Sequence, residues 1–192
     1  MDKKNKILNV IKNSISVKQL ILENAKLQET IEVVSDICIG ALRKDKKILL
    51  CGNGGSAADA QHLAAEFSGR FYKDRDPLFA EALHVNTSYL TAVANDYSYD
   101  QIYSRLVKAK GREGDVLIGI STSGNSINIV KAFEQAKKQG MITVGMTGEK
   151  GGRMAIESEF LLNMPSNDTP RVQEAHILVG HIICELVELE LF

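Results

Sequence analysis

The amino-acid sequence predicts an α/β protein: a three-layer α/β/α sandwich around a five-stranded parallel sheet, preceded by N-terminal helices. Three observations carry this expectation. Short apolar runs of strand length alternate along the chain with stretches of helical spacing. Val116-Leu117-Ile118-Gly119-Ile120 is apolar on both faces, which suits a central parallel strand covered by helices on each side. Only three prolines occur and no repetitive or linker-like stretch separates two cores, so residues 1–192 read as one domain with a helical segment over about 1–45.

From Ser14 to Lys44 the apolar positions Val17, Leu20, Ile21, Ile31, Val34, Ile37, Cys38 and Leu42 recur at helical spacing, predicting one or two long helices. Strands are predicted at Ile48–Cys51, Leu78–Leu83, Val116–Ile120, Ile142–Met146 and Phe160–Met164. Helices are predicted over Ala57–Arg70, Ser88–Ala94, Asp100–Ala109, Ser126–Gln139 and Pro170–Leu191, with a short helical turn near Gly151–Ala155. Pro77 and Pro165 fall where strand edges tolerate a missing N–H.

The chain has 192 residues and a formal net charge of −1. That length can bury a sizeable core, and the charge balance leaves no basic footprint for nucleic acid or an anionic membrane. The clusters Lys3-Lys4 and Arg43–Lys47 read as solvated ends. Cys38, Cys51 and Cys184 form an odd set with no CxxC pair, which fits reduced thiols packed in a cytoplasmic protein. No export signal or membrane span is evident, because the lysine-rich start has no long apolar run beside it.

Chemistry concentrates at two strand-to-helix turns. The first is Cys51-Gly52-Asn53-Gly54-Gly55-Ser56, followed by Asp59, His62 and Glu66. Glycines there can adopt positive φ and bring backbone N–H groups to a ligand, while the helix N-terminus adds partial positive charge, a combination suited to phosphate. The run also fits a loose G-x-G-x-x-[GA] dinucleotide pattern. A dinucleotide fold wants an acid at the end of the next strand, however, and there the chain offers His84-Val85-Asn86, with Glu81 inside the strand. The second turn is Ser121-Thr122-Ser123-Gly124-Asn125-Ser126, with four hydroxyls at the start of another helix. One cap explains one such residue; four favour an anion pocket.

On the helix after the first turn, His62, Glu66 and Arg70 are spaced i, i+4, i+8 and share a face. A solvent-facing ladder would show the same spacing, and closeness to the glycine turn favours function. The final helix carries Gln173 and His181 two turns apart, with Glu174, His176 and Glu185 on other faces. His181 stands among Ile177, Leu178, Ile182 and Ile183, so composition alone favours a core histidine over a ligand. Nothing in the spacing pairs it with His62.

With these segments in hand, the chain resembles the phosphoheptose isomerases of the sugar isomerase (SIS) domain group. The resemblance rests on Cys51–Ser56, His62-x-x-x-Glu66, Asn95-Asp96, Gly111–Asp115, Gly119–Ser126 and Arg171–His176 with His181, and it spans nearly the whole chain. It implies a flavodoxin-like SIS fold and conversion of sedoheptulose 7-phosphate to D-glycero-D-manno-heptose 7-phosphate, the first step toward bacterial surface heptose in lipopolysaccharide core or capsule. It further implies a homotetramer with active sites at subunit junctions and one zinc per subunit, held by His62, Glu66, Gln173 and His181. Asn53, Gly54, Gly55, Glu66, Asn95, Asp96, Ser121, Thr122, Ser123, Ser126 and Gln173 match substrate contacts.

Ketose-to-aldose isomerisation moves a proton between C1 and C2 through an enediol; Glu66 suits the base and His181 its acid–base partner. A carboxylate bound firmly to metal is a poorer base, so the two roles of Glu66 should alternate. Two imidazoles, a carboxylate and an amide oxygen form a plausible zinc set, weakened by the amide. Departures at Ala57, Ala58 and Asn167–Pro170 bear on substrate preference rather than reaction class. The rival reading is a non-catalytic SIS protein that binds a sugar phosphate or regulates replication.

Overall fold

A computed structural model describes residues 2–192. The elements run α1 (Lys3–Leu22), α2 (Ala25–Arg43), β1 (Ile48–Gly52), α3 (Gly55–Ser68), β2 (Ala80–Ala82), α4 (Thr87–Asp96), a 3₁₀ turn (Tyr99–Gln101) and α5 (Ile102–Lys110). They continue with β3 (Val116–Ser121), α6 (Ile127–Lys138), β4 (Ile142–Thr147), α7 (Met154–Glu157), β5 (Phe160–Asn163) and α8 (Thr169–Leu191). Every strand pairing is parallel and the order is β2-β1-β3-β4-β5.

Alternate strand residues feed opposite cores. Ile48, Leu50, Val116, Ile118 and Ile120 join the layer made by α1, α2, α3 and α8, while Leu49, Cys51 and Leu117 join the layer made by α4 to α7. Burial on both faces explains why β1 and β3 read as unbroken apolar runs. The three cysteines are free and buried, and burial pushes the Cys38 thiol up to about 12. They pack rather than react.

The predicted opening helices are two, parted at Glu23-Asn24, where the Asn24 side chain caps α2 by accepting from the Leu27 N–H at 3.0 Å. Only Val17 and Ile21 of α1 are buried; Ile7, Leu8, Val10, Ile11 and Ile15 stay exposed.

Two expectations change. Lys47 is not a solvated end, because its Nζ lies 2.6 Å from Asp115, whose side chain is buried. Asp115 also accepts from the Lys47 and Arg112 backbone N–H groups at 3.1 and 2.7 Å. Gly111–Asp115 thus closes the N-terminal end of β3, opposite the glycine and serine turns. Arg70 leaves the predicted ladder: α3 ends at Ser68 with Gly69 as its cap, so Arg70 lies beyond the helix and is exposed.

The chain order reverses across β1 and β3, since β2 lies on one side of β1 and β4 on the far side of β3. In such a sheet the crevice at the carboxyl ends of the two diverging strands is the natural ligand site. Gly52 pairs with Ile120 there, which brings the two phosphate-type turns side by side.

Candidate active site

Both turns leave helix N-termini uncapped by side chains. The cap residue of α3 is Gly54 (φ 56°), which makes no side-chain hydrogen bond, and of the three turn glycines only Gly54 has positive φ. Gly55 matters for space instead: a Cβ there would overlap the Gln173 amide. Ser126 is the N-cap of α6, yet its hydroxyl does not cap; Ser126 Oγ lies 2.9 Å from Ser121 Oγ, and Ser121 Oγ lies 3.4 Å from Ser123 Oγ. Hydroxyls turned toward one another across a strand end, beside a free helix N-terminus, form an anion cradle. Asn53, Ser56, Ser121, Thr122, Ser123, Ser126 and Gln173 line a cavity of about 150 Å³. That is below the roughly 300–1,000 Å³ of a complete small-molecule pocket, so it accommodates one end of a ligand.

Asn53 is pinned within this cradle. Its Nδ2 donates to Asn128 Oδ1 at 3.0 Å, while its Oδ1 accepts from Asn128 Nδ2 at 2.9 Å and from the Tyr99 hydroxyl at 3.0 Å. Neither Asn128 nor Tyr99 was expected from the sequence. Asn128, buried in the first turn of α6 among Ile127, Ile129 and Val130, carried the signal of a polar residue on an apolar stretch. Asn95 and Asp96 lie exposed at the end of α4 and bond to each other at 3.0 Å.

The second half of the site comes from α3 and α8. The two helices run side by side in the same direction: Gln173 meets Gly55, and Gly180 meets Leu63 so closely that a Cβ would sit 2.6 Å from the leucine methyl carbons. Continuing this register, His181 Nε2 lies 3.4 Å from His62 Nε2, and His62 Nε2 lies 3.0 Å from Glu66 Oε1. One ligating atom from each of His62, Glu66 and His181 falls within 4.8 Å of the others, a spacing a single metal ion can bridge. Two imidazole nitrogens facing each other beside a carboxylate are the donor chemistry of a borderline metal. Three of the four expected ligands therefore converge, while Gln173 lines the adjoining cradle.

Burial lowers the His181 pKa, the neighbouring His62 lowers it further, and Glu66 opposes both. A neutral imidazole suits either ligation or proton relay. Asp59, one turn before His62, has a buried Oδ2 without a hydrogen-bond partner; burial raises its pKa and His62 opposes the rise. His176 is wholly buried, bonds the Thr147 carbonyl at 3.0 Å and has its pKa lowered to about 4 by burial, the carbonyl opposing the shift. It anchors α8 to the end of β4.

A larger cavity of about 650 Å³ between α1, α2 and α8 is mostly apolar, lined by Ile21, Leu22, Ile31, Leu178 and Ile182 among others, with Lys18, Gln28 and Glu32 also in its lining.

The fold and cleft define an SIS-type phosphosugar domain, and the SIS domain model matches residues 15–148. The phosphoheptose isomerase of Clostridium acetobutylicum is 56% identical over 98% of this chain and 96% of its own. Solved phosphoheptose isomerase structures agree: that from Neisseria gonorrhoeae has 42% identity and a TM-score of 0.91, covering 97% of this chain and 98% of its own. That from Francisella tularensis has 34% identity and a TM-score of 0.94, covering 98% and 100%. The chain belongs to the phosphoheptose isomerase family and is an aldose–ketose isomerase.

Proposed function

We propose that this chain converts sedoheptulose 7-phosphate to D-glycero-D-manno-heptose 7-phosphate at the crevice between β1 and β3, supplying heptose for a bacterial surface polysaccharide. The observation that carries this reading is the juxtaposition of a hydroxyl-lined anion cradle with the His62, Glu66 and His181 cluster, in a chain of this family. Ser121, Thr122, Ser123 and Ser126, with the N-termini of α3 and α6, hold the phosphate; Asn53, Gly54, Gly55, Asn95, Asp96 and Gln173 contact the sugar. Phosphate binding at one end fixes C1 and C2 at the other.

Glu66 takes the C1 proton, which exchanges with solvent on the carboxyl group, and delivers a proton to C2, so that the double bond passes through an enediol. His181, held neutral, carries the compensating proton between O1 and O2. His62, Glu66 and His181, joined by the Gln173 amide oxygen, would hold one zinc ion. When bound, zinc supplies a Lewis acid that polarises the sugar oxygens. Glu66 would help hold the ion and serves as the base.

The cavity is small and His62 half exposed, while α1 leaves seven large apolar residues uncovered. These features support a homotetramer in which neighbouring subunits complete the site. A non-catalytic SIS role is not favoured, given 56% identity to a phosphoheptose isomerase over nearly the full chain.

The test is NMR of metal-stripped protein with sedoheptulose 7-phosphate in deuterated water, before and after zinc. Aldose formation with deuterium incorporated at C2 is the expected result, and zinc dependence of the rate supports the metal role. No turnover in either state would overturn the reading.

A further inference from the structure

Beyond the cleft, α8 carries a further polar residue on the side that bears Gln173 and His181. Glu188 stands two turns past His181 and is 2% exposed, yet its carboxylate is fully engaged. Oε1 accepts from the Phe71 backbone N–H at 3.0 Å and from Arg75 Nε at 3.0 Å; Oε2 accepts from the Tyr72 and Lys73 N–H groups at 2.7 and 2.9 Å. A buried carboxylate taking three backbone donors and a guanidinium is a strong, directional anchor. It grips the segment that leaves α3.

Arg75 extends the grip back into α3 itself. Its guanidinium donates to the carbonyls of Glu66 at 2.8 Å, Phe67 at 2.7 Å, Gly69 at 3.2 Å and Asp76 at 3.0 Å. The last carbonyls of a helix have no partner within the helix, so their position depends on whatever else binds them. Here one of them belongs to Glu66. On the other side, Phe71, whose N–H Glu188 holds, places its ring 5.6 Å from the His181 ring and 4.5 Å from that of Tyr72.

We propose that Glu188 and Arg75 form a positioning pair for the Glu66 and His181 end of the active site, fixing the backbone of Glu66 and the ring that packs on His181. The proposal rests on the roles assigned above to Glu66 and His181. Neither residue of the pair touches substrate; both act through the groups they hold. The serine cradle lies at the opposite end of α3, where Asn53 has its own supports in Asn128 and Tyr99.

This predicts a divided effect. Outer partners of a metal site typically change metal affinity about 10–100-fold when removed. Glu188→Gln, which keeps the shape and loses the charge, should weaken zinc binding by about 10-fold, measured by competition with a chromogenic chelator, and lower kcat by about as much. KM for sedoheptulose 7-phosphate and the affinity for inorganic phosphate should stay within about twofold, because uniform binding at the cradle is untouched. Arg75→Lys keeps a positive charge beside Glu188 but cannot span the carbonyls; it should show the same split and serves as the readout if Glu188→Gln does not fold. Glu190→Gln, at the exposed pair with Arg43, should change none of these values.

A folded variant with zinc affinity and kcat within twofold of the parent would overturn the proposal. So would a loss shared equally by phosphate affinity, which would mark a general structural role. If the parent protein does not turn over the heptulose, the functional reading fails by itself, and the zinc and phosphate affinities still decide the positioning role.

Discussion

The two ends of β3 are built from similar materials and behave in opposite ways. At the N-terminal end, Gly111–Asp115 gathers charge, and its buried carboxylate is answered: Asp115 binds the Lys47 ammonium and two backbone N–H groups. At the C-terminal end, Ser121–Ser126 gathers hydroxyls that face one another over a helix N-terminus none of them caps. Polarity alone therefore does not mark a site. What marks it is hydrogen-bonding capacity that the fold leaves open, next to an unopposed helix dipole.

The strongest way to sharpen this contrast is at the reacting end. Glu66→Gln should lower kcat by about 10²–10⁴-fold, the usual range for a proton-transfer group, in steady-state assays on sedoheptulose 7-phosphate. Because Glu66 is a partly exposed residue bonded to His62, its stability cost should stay within about 0.5 kcal/mol. Near-native turnover would remove Glu66 from the chemistry.

Asp115→Asn should do the reverse. Breaking a buried pair leaves Lys47 uncompensated and typically costs about 3–5 kcal/mol, read as a lowered urea midpoint, with the KM of the folded protein unchanged. A raised KM with intact stability would mean that this end, too, serves the substrate.

Between the two ends, His176 ties α8 to the β4 terminus. Its folded pKa of about 4 lies below the usual 6.5, so the unfolded chain binds more protons between these values. Stability is complete above pH 6.5 and falls as the pH drops toward 4, by about 3 kcal/mol from this group. Urea melts at pH 7 and pH 4.5 should show the loss, and His176→Gln, which keeps a donor for the Thr147 carbonyl, should flatten that part of the profile. Glu188 steepens the acid limb below it. Burial would raise its carboxyl pKa, but the Lys73, Phe71 and Tyr72 N–H groups and Arg75 hold it down, so its contribution is present above the ordinary carboxylate range and lost at lower pH.

The smallest effect is the most discriminating. Ser126→Ala removes a hydroxyl from a position where a helix cap ordinarily contributes about 1 kcal/mol. Since Ser126 makes no cap bond here, its loss should leave thermal stability within about 0.5 kcal/mol and raise KM by roughly 5–10-fold. Destabilisation with unchanged KM would turn the cradle back into a cap.

Much of the candidate site was legible in the sequence because its parts are local. Glycine and hydroxyl turns after apolar runs signal their own geometry, and i,i+4 spacing placed His62 beside Glu66 as found. The same local logic failed at Arg70, where Gly69 ended the helix two residues early, and at Lys47, whose partner lies 68 residues away. Glu188 went unread because a polar residue on a helix looks alike whether it faces water or a buried loop.

By itself, then, the sequence determined which segments become strands and helices, where the chain turns, and which residues crowd those turns, since backbone preference and apolar periodicity act over a few residues. Only the tertiary structure decided that β1 and β3 are neighbours at the reversal of strand order, so that two phosphate-type turns share one crevice. It alone decided that α8 lies along α3 in a register joining His181 to His62 across 119 residues. Periodicity gives each helix a face; which surface that face meets is fixed only when packing closes the core.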